Sequence, residues 1–272
     1  MTATDHPFDS AVRLAAAGDN AFTGRTHPAY GNMVGPFGGV IAAAMLNAAL
    51  SHPARLGDPL ALTVNYAAPI ADGDFRIGAA PARTNRSTQH WSMALTQGDE
   101  TAITATAVFA QRRETWAATE SGFPQAPAWA TLRRADPVKT AAWTSRYDFR
   151  FARGGDLSAM PAAEGPDSVS TQWIRDEPPR PLDFLSLAAI CDVFYPRIFI
   201  RRPVFVPAGT VSMTAYFHAD AALLAAQGDA PVLGTARASH FGKGYHDQVA
   251  EIWSRDGILL ATSHQIVYFK EN

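Results

Sequence analysis

The sequence predicts an α+β fold in which one arrangement, a buried helix wrapped by an antiparallel sheet, is built twice. Three observations predict it. Two apolar helical runs, GGVIAAAMLNAAL (38–50) and DFLSLAAICDVFY (183–195), stand about half a chain apart. Each is followed by four segments with strand-like alternation. The last two segments of each set are joined by a short polar turn, QGDE in the first and SRDG in the second, which reads as an antiparallel hairpin. Helix first and strands after is the order of an α+β chain rather than of an alternating α/β one.

The elements follow in order. The opening MTATDHPFDS lacks the basic and apolar blocks of a signal peptide, which fits a cytoplasmic protein. The first helix begins after GPF and is stopped by Ser51, His52 and Pro53. Its strands are LALTVNYAAP, DFRIGAAPART, TQHWSMALTQ and TAITATAVFAQ. A Pro/Ala/Trp-containing stretch with FPQAPAW at its heart then reads as a linker. Beyond it, Tyr147, Phe149 and Phe151 alternate with Arg146, Asp148 and Arg150, as on the two faces of a strand. The stretch ARGGDLSAMPAAEGPDS reads as a loop. Asp183 is the expected N-cap of the second helix and Pro196 its expected stop. The strands GTVSMTAYFHA, VLGTARASHF, HDQVAEIWS and GILLATSHQIVYF complete the chain. The predicted units are 1–115, a linker at 116–142, and 143–272.

Composition narrows the function. The chain has 272 residues, 47% of them hydrophobic, which is enough for a sizeable core. A net charge of −2 gives no electrostatic reason to expect nucleic acid or an anionic membrane as partner. No apolar run approaches the ~20 residues that span a bilayer, so no membrane insertion is expected. One cysteine, Cys191, rules out an internal disulfide. G-x-S-x-G, H-E-x-x-H, paired-cysteine, P-loop and G-x-G-x-x-G patterns are all missing, so neither a metal nor a nucleotide cofactor is expected.

Gly38, Gly39 and the alanines after them suit a helix with backbone close on several sides. The free N–H groups of its first turn also suit a ligand oxygen. From composition alone packing is the favoured account of these residues, since a glycine pair is common at helix starts.

FGGVIAAAMLNAAL resembles the FGG-initiated helix of the acyl-CoA thioesterase II family. LTVNYAAPIADGDFRIGAAPARTNRSTQHWSMALTQGDETAITATAVFA is similar to the rest of that family's first domain. QWIRDEPP with LDFLSLAAICDVFYP, and GILLATSHQIVYF, resemble parts of its second. The resemblance implies a double hotdog, two helices each wrapped by a curved antiparallel sheet. It also implies hydrolysis of acyl-CoA thioesters by a water activated by Asp, Thr and Gln. Carried over by residue, these fall on Asp192, Thr210 and Gln265. Phe37, Gly38 and Gly39 are the implied substrate-binding residues. Acyl-CoA is the implied partner, no cofactor is required, and a homo-oligomer is compatible with the family. Ser212 or Thr214 takes the place of Thr210 if the strand register slips.

These residue types fit the chemistry. Thioester hydrolysis needs a placed water, a proton acceptor and donors for the developing oxyanion. An apolar setting at the C-terminal end of its own helix is expected to make Asp192 more basic. A carboxylate paired with a neighbouring Arg197 is the structural alternative. The first half is not equipped in the same way. With Tyr66 aligned on Phe217, Pro59 stands opposite Thr210, Gln265 falls near Val108, and the helix offers Asn47. One site per chain is expected. His218, His240, His246 and His264 read as sheet or surface residues, and Lys243 as part of a hairpin turn. A non-catalytic acyl-CoA binding protein of the same fold, or an assembly module, are the competing readings.

Overall fold

Two helices that are apolar on every side have to be enclosed, and one continuous sheet encloses both. The computed structural model describes residues 5–157 and 163–270. Helix α1 (Pro7–Ala11) and the short strands β1 (Ala15–Ala16) and β2 (Ala21–Arg25) precede the first central helix, α2 (Gly38–Leu50). Strands β3 (Asp58–Tyr66), β4 (Asp74–Thr84), β5 (Thr88–Gln97) and β6 (Glu100–Ala110) follow it. After a strand-free stretch come β7 (Tyr147–Arg153), β8 (Ser170–Asp176), the second central helix α3 (Phe184–Ile190) and α4 (Arg197–Arg201). The chain closes with β9 (Ala208–Phe217), α5 (Ala221–Gln227), β10 (Val232–Arg237), β11 (Phe241–Gly242), β12 (Tyr245–Trp253) and β13 (Leu259–Phe269).

The strands run in the order β1-β2-β4-β5-β6-β3-β9-β13-β12-β10-β8-β7, with β11 on β12. Every pairing is antiparallel. The order reads the same outward from the β3–β9 seam in both directions. At the seam Thr63 pairs with Thr214, 151 residues further on, and their hydroxyls are 3.0 Å apart. The same offset relates Tyr66 to Phe217, the alignment that the sequence suggests. Arg112 ties the seam from outside, donating to Pro59 O on one strand and to Phe217 O and His218 O on the other side.

Helix α2 is buried from Gly39 to Leu46 and again at Ala48 and Ala49. Small side chains let α3 come close. A methyl group on Gly39 would stand 2.6 Å from the backbone oxygen of Ala189 in α3. The two helices therefore meet nearly backbone to backbone, which no larger residue permits.

The second helix is shorter than its apolar run predicts. It ends at Ile190, and Cys191 is its C-cap. The carbonyl of Cys191 accepts from Ser263 Oγ at 3.2 Å and Gln265 Nε2 at 3.1 Å. Side chains from β13 thus take an acceptor that a longer helix would have used. Pro196 starts α4 rather than ending α3. The expected strand 232–241 is also divided, into β10 and β11. The expected loop at 152–168 lies partly outside the described residues. The expected linker is pinned to the outer face of the second half: Arg150 lies 4.0 Å over the Trp129 ring, and Trp173 Nε1 donates to Pro127 O.

Candidate active site

The site lies where the start of α2 meets the turn after α3. Helix α2 has no side-chain cap on its first turn, whereas α3 carries a capping box between Asp183 and Ser186. The uncapped end is the one that faces a carboxylate. The N–H of Gly39 donates to Asp192. A negative group at a helix N-terminus is electrostatically favourable, and here it serves as the missing cap.

Asp192 sits deep in the protein, yet part of the residue still reaches solvent. Burial pushes its carboxyl up to about 7, against the hydrogen bonds from Gln265 and Gly39, which pull it down. The dipole expectation therefore needs correction. Asp192 stands past the end of α3, and its carboxylate meets the N-terminus of α2, which lowers its basicity. Desolvation alone accounts for the rise. Arg197 is not its partner. That guanidinium is buried and donates to Tyr195 O, Gln248 Oε1, Ser168 O and Ser170 Oγ, all neutral acceptors.

Gln265 is buried on the inner face of β13. Its Nε2 donates to Cys191 O, and its side chain bonds the Asp192 carboxylate. Its Oε1 accepts from Thr210 Oγ1 at 3.1 Å. Thr210, Gln265 and Asp192 are therefore joined by hydrogen bonds in that order.

Strict alternation would put Thr210, Ser212 and Thr214 on one face of β9. The ladder breaks between them. Ile266 pairs with Ser212 but Val267 pairs with Thr210, so Val211 is left without a partner. This bulge turns Thr210 inward, which is a common way to re-aim one side chain beside a site. Ser212 Oγ instead reaches Asn65 Oδ1 at 2.9 Å, and Thr214 meets Thr63 across the seam. The first half carries the same break, where Phe109 pairs with Pro59 and Val108 with Ala61. Pro59 occupies the position of Thr210. The counterpart of Gln265 is Ala107, one residue before Val108, because Thr106 and His264 pair with Thr63 and Thr214 respectively.

Gly38 lets the start of α2 lie close against the carboxylate and the Tyr66 hydroxyl. A methyl group there would stand 2.7 Å from Asp192 Oδ2 and 3.3 Å from Tyr66 Oη. Phe37 is buried in the core. Its ring stacks on Trp143 at 4.2 Å and also backs onto Gly39. It braces the helix start. Tyr66, at the end of β3, was not singled out by sequence as a site residue. It donates from Oη to Gly38 O at 2.9 Å, and burial together with the charge of Asp192 holds its phenol well above the usual range. Its signal in the sequence is only that of an amphipathic ring ending a strand.

Other candidates fall elsewhere. Cys191 is fully buried with its thiol pushed up to about 12 by burial, unsuited to attack. His246 is buried, His264 lies 3.4 Å from Asp247, and His218 meets Thr262. Lys243 stands exposed in the left-handed conformation of a hairpin tip. Asn47 donates to Val12 O. Among the described residues no His, Cys, Asp and Glu side chains gather in a way that could hold a metal ion, and no helix is long and apolar enough to cross a membrane.

Two buried helices wrapped in the halves of one antiparallel sheet define a double hotdog protein. A family model described as the acyl-CoA thioesterase N-terminal domain matches residues 27–110, and one described as the C-terminal domain matches 111–269. The chain belongs to the acyl-CoA thioesterase family. It is 48% identical to a conserved hot dog fold protein of unknown function from Alicyclobacillus acidocaldarius, with a TM-score of 0.94 over 99% of this chain and 100% of that one. A putative thioesterase II from Thermobifida fusca YX shares the fold at 18% identity, with a TM-score of 0.83 over 97% of each chain. So does an acyl-CoA thioesterase II from Mycobacterium marinum, at 16% identity and a TM-score of 0.77 over 97% of this chain and 98% of that one. No curated protein matches the sequence.

Proposed function

We propose that the protein hydrolyses an acyl-CoA thioester to the free acid and CoA, using a water held between Asp192, Gln265 and Thr210. The hydrogen-bonded sequence from Thr210 through Gln265 to a desolvated but accessible Asp192 supports this reading above all. Ionised Asp192 takes a proton from the water as its oxygen attacks the thioester carbon. The tetrahedral intermediate then collapses with breakage of the carbon–sulfur bond. The departing sulfur takes the proton from Asp192, and the acid and CoA leave. A carboxyl pushed up to about 7 by burial suits both the taking and the giving of that proton near neutral pH.

The roles divide by geometry. Gln265 orients the carboxylate and the water together. Thr210 fixes the amide through its hydroxyl. Gly39 holds the carboxylate at the start of α2, beside Gly38.

The test is release of thiol from acetyl-, octanoyl-, palmitoyl- and benzoyl-CoA. Release from at least one supports the reading. Binding of these probes without release would favour a carrier of acyl-CoA instead. In the same assay Thr210→Val is expected to lower turnover roughly tenfold, the equivalent of one hydrogen bond of about 1.4 kcal/mol. Thr210→Ser, which keeps the hydroxyl, is expected to retain most of it. Equal losses in both variants would deny the hydroxyl its role.

A further inference from the structure

Tyr66 comes from the first half and nothing in the Asp192–Gln265–Thr210 set requires it. Three observations place it at the same chemistry. Its hydroxyl donates to the carbonyl of Gly38. A single point, the position a Gly38 side chain would occupy, is in contact range of both Tyr66 Oη and Asp192 Oδ2. The pairing of Asn65 with Ser212 puts Tyr66 beside the bulge that turns Thr210 inward. Tyr66, Gly38 and Asp192 each keep some exposure.

An ester oxygen that becomes negative there needs donors. Gly39 has already committed its N–H to Asp192. The phenol is the remaining side-chain donor at that point, and rotation about its C–O bond can turn its proton from Gly38 O toward an incoming oxygen. We infer that Tyr66 donates a hydrogen bond to the thioester carbonyl oxygen in the reaction, so that the first half contributes an electrophilic group to a base supplied by the second. This rests on the thioesterase reading. It gives Tyr66 a catalytic part beyond bracing the start of α2. Its high proton affinity suits the part, since the phenol stays protonated and able to donate.

The experiment compares wild type with Tyr66→Phe, which keeps the ring and removes the hydroxyl. With whichever of the four acyl-CoA probes wild type cleaves fastest, the variant is expected to lose on the order of 10²-fold in kcat, with KM nearly unchanged. A merely bracing role would instead lower thermal stability and leave kcat close to wild type. A second readout does not depend on turnover. The infrared carbonyl stretch of the same probe, labelled with ¹³C at the carbonyl, is recorded bound to Asp192→Asn with and without Tyr66→Phe. Loss of the hydroxyl is expected to raise the stretch frequency. An unmoved frequency, with kcat retained, overturns the inference while the thioesterase reading stands. No thiol release by wild type from any probe overturns that reading and this one with it.

Discussion

Replacing Asp192 by Asn is expected to lower turnover on acyl-CoA by about 10²-fold or more, the usual worth of a general base. The same change is expected to stabilise the protein at alkaline pH. The sign follows from the carboxyl itself. Its value is 3.8 when unperturbed and about 7 in the folded chain, so the native state holds the proton more tightly than the unfolded one. Below about 4 both states are protonated and the residue costs nothing. Between there and about 7 the wild type loses stability as pH rises, and above that the full penalty for a desolvated charge is present. Asn carries no such penalty. Unfolding measured at pH 5 and pH 8 should show the variant gaining most at pH 8. Asp176, which burial also pushes up to about 7, titrates in both proteins and cancels in the difference. Retained turnover would remove Asp192 from the mechanism, and a variant less stable at pH 8 would contradict the desolvation account. For wild type, kcat/KM should rise with pH through about 7, because only the ionised base accepts the proton.

Gly39→Ala is expected to be strongly damaging, because the added methyl group lands between the two central helices. It would meet Phe37 Cζ at 2.5 Å and Ala189 O at 2.6 Å. The first cannot swing aside because its ring is stacked on Trp143, and the second is helix backbone. The two central helices would have to part. Overpacking of this kind costs about 1–3 kcal/mol and sometimes more. The shift would also draw the Gly39 N–H away from Asp192, and turnover should fall with stability. Gly78→Ala is the matched control, since a methyl group there meets nothing within 4 Å. Chemical denaturation of both variants decides the matter. Equal midpoints would show that the helix contact yields more easily than the distances imply.

Much of the frame was legible because local chemistry and global packing agree along most of the chain. Helix α2 and strands β4 and β5 have the bounds that their turn residues and alternation predict. The repeat was legible because two apolar helical runs half a chain apart are each followed by strand-like segments, and the β3–β9 seam pairs equivalent residues of the two. Four things were not. The end of α3 is set by Ser263 and Gln265, which arrive from far along the chain to claim the Cys191 carbonyl, and no local signal announces them. The bulge at Val211 carries no glycine or proline of its own, so alternation alone cannot separate Thr210 from Ser212 and Thr214. Tyr66 is conspicuous only once the fold lays it over Gly38, because its nearest chemical neighbours are remote in sequence. Strands β1 and β2 are too short to alternate visibly.

The missing cap on α2 has a final consequence. The central helix of the half that contributes the proton acceptor is capped at its start, and the half whose central helix starts bare has proline and alanine where the hydroxyl and amide should be. Two fragments cut within the strand-free connection would each hold an incomplete inventory. Catalysis should return only when the fragments are mixed and reassociate along the seam, and it should then follow their concentrations as a bimolecular complementation.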